Sequence, residues 1–131
     1  MRISLFGQTI LLVIISTLIA GCASTPVASE GAPQTVFQQP IEKVQKAAVD
    51  ALVVTGFDVT KQEPAYVEGF RPRKVGFFVG SGGETAGVWL KEQGQDKTKV
   101  KVDTARSLVG IVGQKNWDTE ILNEMRKSLA K

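Results

Sequence analysis

A chain of 131 residues with 16 basic and 13 acidic side chains, no histidine and a single cysteine has room for one domain with an ordinary surface charge. The missing imidazole removes the commonest general base and metal ligand, and one thiol allows no disulfide within the chain. A Ser-His-Asp triad is excluded, and a zinc site would have to be built from carboxylates alone.

Met1-Arg2 carries one positive charge and is followed by an uncharged stretch from Ile3 to Gly21, with an apolar centre at Ile10 to Ile15. A basic start, an apolar centre and small residues at the end are the layout of a secretory signal peptide, here residues 1–21. Ser4, Gln8, Thr9, Ser16 and Thr17 dilute it below the roughly 20 apolar residues of a spanning helix, and no basic stop-transfer cluster follows. Its end, Leu18-Ile19-Ala20-Gly21-Cys22, resembles the lipobox of bacterial lipoproteins. That resemblance implies cleavage between Gly21 and Cys22 and acylation of Cys22, palmitate included; two or more acyl chains anchor a protein stably where one does not. Ala23 stands where an aspartate tends to hold enterobacterial lipoproteins at the inner membrane, so the resemblance implies the outer membrane, facing the periplasm. Export also argues against a nucleic-acid partner. Removing the leader takes Arg2 with it, and 15 basic residues (16 minus one) against 13 acidic ones point to no particular partner.

Residues 22–34 form the lipidated start and a tether; "ASTPVASEGAPQ" is rich in Ala, Ser, Pro and Gly and has too little apolar surface to offset its chain entropy. Residues 35–131 make one domain. "TVFQQ" predicts a short strand. "PIEKVQKAAVDALVVTGF" predicts an amphipathic helix, with Ile41, Val44, Ala48, Ala51 and Leu52 at helical spacing, Pro40 in its first turn and Gly56 just past its end. "FDVTKQ" and "AYVEGFR" predict strands stopped by Pro64 and Pro72. "TAGVWLKE", with Ala86, Val88 and Leu90 on one face, and "KTKVKVDTAR", with Val100, Val102 and Thr104 alternating against Lys99, Lys101 and Asp103, predict two more, joined by a turn at Gln93 to Asp96. "NWDTEILNEMRKSLAK" predicts a final helix, N-capped by Asn116, with Trp117, Ile121, Met125 and Leu129 on one stripe. The expected fold is α+β: a two-layer sandwich of β-α-β-β-β-β-α order, with an antiparallel sheet of four to five strands and two helices on one face.

The glycine-rich "VGFFVGSGGETAGVW" lacks the lysine of a phosphate loop and leads into a strand rather than a helix. Ser81-Gly82-Gly83-Glu84 instead predicts a tight hairpin turn. In "SLVGIVGQKNWD", Gly110, Gly113, Lys115 and Asn116 precede the last helix and form a candidate anion site, although every helix start offers free N–H groups. Arg71 and Arg73 make a basic cluster with Lys74, and Lys97, Lys99 and Lys101 share one outward face. Consecutive Phe77 and Phe78 point to opposite sides of an extended chain, and Trp89 falls on the wet face; either they finish the core or they make a contact site. Among carboxylates, Glu84, Asp103, Asp118 and Glu120 lie nearest the loops, and no spacing selects an acid–base pair. No catalytic residue, cofactor or metal is expected.

Lipobox, short tether and one α+β domain together resemble the small Gram-negative envelope lipoproteins of uncharacterised function. The element order is also similar to the small α/β domains of the lipoprotein C subunit of the outer-membrane β-barrel assembly machine, although here there is one such domain and no long N-terminal partner-binding segment. The resemblance implies a membrane-anchored protein that binds another envelope protein, with Phe77, Phe78, Trp89, Arg71 and Arg73 as candidate contacts. The alternative is a module for a small anionic ligand or glycan at residues 110–116.

Overall fold

The computed structural model describes residues 26–75, 78–106 and 115–131, with the backbone alone for 73–75, 78–82 and 106. Gly21, Cys22, Phe77, Gly110 and Gly113 lie outside the described residues. The elements run β1 (Gln34–Phe37), α1 (Ile41–Val54), β2 (Asp58–Glu63), β3 (Tyr66–Val75), β4 (Phe78–Glu92), β5 (Thr98–Arg106) and α2 (Asp118–Leu129). All strand pairs are antiparallel, and the five strands form one sheet in the order β1-β5-β4-β3-β2. The fold is the expected α+β arrangement.

Alternation decides which face the helices cover. Val67, Val88 and Val102 are cross-strand partners and fully buried. With Ala86, Leu90 and Val100 they meet Val44, Ala48 and Leu52 of α1 and Ile121 and Met125 of α2 in one core. Both helices lie on this face, and among the described residues the opposite one carries no helix.

Local chemistry sets the ends of α1. Pro40 is the N-cap rather than part of the first turn. At the other end Phe57 N–H donates to the Leu52 carbonyl (2.9 Å) and Gly56 N–H to that of Val53 (3.0 Å). This pairing needs a left-handed residue between helix and strand, and Gly56 supplies it at φ 88°. It also turns Phe57 inward against the core.

Two predicted boundaries are corrected. The pairs Val75↔Phe78 and Lys74↔Val79 put the reversal between β3 and β4 before Phe78, so Ser81-Gly82-Gly83-Glu84 is not the turn but part of β4. The register shifts between Pro72↔Gly83 and Lys74↔Val79, a bulge that the glycines accommodate. A side chain at Gly83 would run into the Arg71 carbonyl and the Phe70 ring. Nor does Pro72 stop β3. Among the described residues pairing with β2 ends at Asp58↔Phe70, so Pro72 has only the β4 ladder beside it. The described pairs of β4 with β5 reach Glu84↔Arg106, and those of β3 with β4 run on to Val75↔Phe78.

Close packing at Gly69 offers a test. A Cβ there would stand 2.9 Å from Phe57 Cβ and 3.4 Å from Leu52 Cδ2. Gly69→Ala is expected to lower stability by about 1–3 kcal/mol, seen as a lower urea midpoint at unchanged slope. Gly31→Ala, with nothing within 4 Å of the added carbon, is the matched control and should leave the midpoint where it is.

Candidate functional site

The face without helices is built from the alternate residues of the same strands. Cross-strand pairing lines up Tyr66, Trp89, Lys101 and Gln34 in one row, Glu68, Gly87 and Asp103 in the next, and Phe70, Thr85 and Ala105 beyond. Trp89 therefore stands on the outward face, as its offset from Val88 and Leu90 predicts. Its ring lies 5.2 Å from that of Tyr66 at a tilt of 44°. Gly87 is what makes room: a Cβ there would meet Trp89 Cη2 at 2.6 Å and Pro26 Cβ at 3.1 Å.

Residues 26–33, read from composition as part of the tether, lie on this face. Pro26 and Ala32 are buried, Ser29 N–H donates to Asp103 Oδ2 (2.9 Å), and Val102 N–H donates to the Pro33 carbonyl (3.2 Å). Three acidic groups of the face have partners. Glu63 pairs with Lys61 at 3.1 Å, Glu68 accepts the Tyr66 hydroxyl at 2.7 Å, and Asp103 takes Ser29. Lys91, Lys99 and Lys101 do not: among the described residues none of them is in an ion pair. With Gln34 and Trp89 they line an open groove of about 220 Å³.

A second cluster lies on the helix side, where α2 begins. Trp117 is 8% exposed and meets Phe57 edge-on at 5.9 Å. The Arg71 guanidinium stands 4.3 Å and the Lys115 ammonium 4.1 Å from the centre of its ring. Each such contact is worth about 0.5–2 kcal/mol, more when desolvated. Thr104 Oγ1 donates to Asp118 Oδ1 and accepts from Trp117 N–H, while Asn116 Oδ1 takes Asp118 N–H (2.9 Å). Buried Glu84 accepts Lys115 N–H at 3.2 Å, and Lys115 Nζ pairs with Glu120. The N-cap is Trp117 rather than the predicted Asn116, with no side-chain cap of its own, and Asn116 Oδ1 instead accepts the N–H of Asp118, the first helical residue.

The candidate contacts are thus separated. Trp89 belongs to the open face, whereas Arg71 is half-buried over Trp117 on the other side and not part of an exposed cluster with Arg73. Phe78 and Arg73 belong to the far end of the β3–β4 pairing. Of the candidate anion site, Lys115 and Asn116 are described. Asn116 Oδ1 is taken by Asp118 N–H and Lys115 is engaged by Glu120, with the Glu84 carboxylate beside its own N–H. Tyr66, Glu68, Phe70 and Gln34 were not singled out by sequence reasoning. The signal was present in "AYVEGFR", whose alternation puts Tyr66, Glu68 and Phe70 on one side.

Among the described residues no helix is long and apolar enough to cross a membrane, and no three metal-ligating side chains come together. Neither protein-family models nor curated proteins gave a match to the chain.

Tyr66, the one tyrosine in the chain, reports on this face. Burial, then the hydrogen bond to Glu68 and the charges of Glu68 and Glu63, push its phenol well above the ordinary value near 10. Alkaline titration should therefore show tyrosinate absorbance only well above that pH, and Glu68→Gln should bring it down. The folded phenol holds its proton more tightly than the unfolded one. This linkage therefore stabilises fully below pH about 10, and the stabilisation is lost as pH rises from there through the folded-state value. Absorbance rising at the ordinary pH in the native protein would contradict the geometry.

Proposed function

We propose that this protein is a lipid-anchored component of a bacterial cell envelope, held through acylated Cys22 at the outer membrane and facing the periplasm, whose single domain binds another envelope protein and carries out no catalysis. The observation that carries the reading is the one-sided sandwich. Both helices cover one face of the sheet, while the other face presents Tyr66, Trp89 and Phe70, the last of them 38% exposed. The pairing of β3 with β4 continues beyond Phe70 to Val75↔Phe78, and Phe78 and Arg73 lie on that extension. The carboxylates weighed for chemistry have structural partners: Asp103 with Ser29, Asp118 with Thr104, Glu120 with Lys115 and Glu84 with the Lys115 N–H. The lipobox-like Leu18 to Cys22 supports the anchor.

Photo-crosslinking in intact cells tests the partner. A crosslinking residue at position 70 or 78 should give a discrete protein adduct, and one at exposed Glu42 on α1 should not. No adduct at either of the first two positions would sink the reading. Labelling with a fatty-acid analogue tests the anchor separately: incorporation should be abolished by Cys22→Ser.

A further inference from the structure

We infer that the groove formed by Lys91, Lys99, Lys101, Trp89 and Gln34 on the open face is a seat for the phosphate groups of anionic lipids, so that this end of the sheet rests on the membrane surface.

Charge is the first argument. Lys91 and Lys99 are directly opposite on β4 and β5, and Lys101 follows Lys99 on the same face. Like charges opposed across strands repel, and among the described residues none of the three lysines is in an ion pair that would relieve it. An anion entering the groove would neutralise that repulsion. Trp89 is directly opposite Lys101, and an indole beside lysines suits the boundary between headgroup and water.

The path of the chain decides which phosphate. Pro26 lies against Gly87 on this same face, and Cys22 stands four residues before it. At no more than about 3.6 Å per residue the anchor point lies within roughly 14 Å of Pro26. An acylated Cys22 would keep the groove close to the lipid surface, where local phosphate is concentrated. In this respect the inference rests on the anchor proposed above; the lysine groove itself does not.

The test uses the full acylated chain reconstituted in vesicles of phosphatidylcholine, with or without phosphatidylglycerol, containing lipids brominated near the headgroup as quenchers. The difference between the parent and Trp89→Phe isolates Trp89 and leaves Trp117 in place. This signal should be quenched in anionic vesicles, less so in neutral ones or at high salt, and in Lys91→Gln/Lys99→Gln/Lys101→Gln no more than in the parent on neutral vesicles. The mature chain exported behind an ordinary leader and carrying Cys22→Ser measures the same surface without the anchor. Its partitioning onto anionic vesicles should fall on the order of a hundredfold in the triple variant, roughly a factor of five per lysine. Equal quenching, or equal partitioning, with and without the lysines would overturn the inference. So would a Trp89 response to inorganic phosphate in solution with none to anionic vesicles, which would assign the groove to a soluble phosphate ligand. Failure of fatty-acid labelling would remove the anchor alone, since lysine-dependent partitioning of the Cys22→Ser chain is read without it.

Discussion

Val67, Val88 and Val102 form a single row across three strands, and the parity of every other residue in the sheet follows from their being inside. Each buried valine contributes about 1.5–3 kcal/mol relative to exposure, and the row lies beneath both helices. A one-residue slip of any strand would expose its share of that row and turn the outward residues in. Tyr66, Trp89 and Lys101 are neighbours on the open face because their sequence neighbours cannot be anywhere but in the core. Position on that face is thus a by-product of hydrophobic burial on the other.

The second constraint acts where α2 meets the sheet. Asp118 is 3% exposed, and Thr104 holds its carboxylate while receiving Trp117 N–H. Buried polar groups are tolerated when each finds a partner, and here the partners come from β5 and α2, fixing the angle at which the helix arrives. Trp117 then fills the space between Phe57, Arg71 and Lys115. Lys115 is consequently a structural cation: its charge is balanced by Glu120 and its ammonium stands over the Trp117 ring. A lysine before a helix reads in sequence as an anion site, and only the long-range approach of Glu84 and Trp117 shows it engaged.

What the sequence displayed best was periodicity. "KTKVKVDTAR" alternates without a break, and the stripe of α2 and the Pro40 and Gly56 limits of α1 follow local rules, so these elements and the fold class were legible. The glycine stretch was not. Adjacent glycines satisfy a tight turn and a bulged strand equally well, and the choice is made by pairing with β3, where Pro72 stands opposite Gly83. Pro72 misled for a related reason, since a proline breaks a strand only where two neighbours need its N–H. Arg71 looked like one of three exposed cations, yet alternation and the approach of α2 place it over Trp117. Composition alone also gave no sign that Pro26 to Pro33 would lie along the sheet, because the complement to Pro26 is the missing side chain of Gly87, sixty residues on in the fold's logic rather than in any motif.

The open face has two ends of different character, and the strand geometry separates them. Trp89 and the lysines lie at one end of β4, and Gly83 lies six residues away, about 20 Å at the rise of an antiparallel strand. Lys91, Lys99 and Lys101, in no ion pair among the described residues, concentrate positive charge at the first end. Aromatic surface continues from Tyr66 and Trp89 toward Phe70. If the lysine end sits on phosphates close to the anchor, the far end of the β3–β4 pairing is carried outward from the lipid surface, and a protein partner can reach it without competing for the same side chains. Segregation of charge along one sheet face would then set the orientation in which the domain meets its partner.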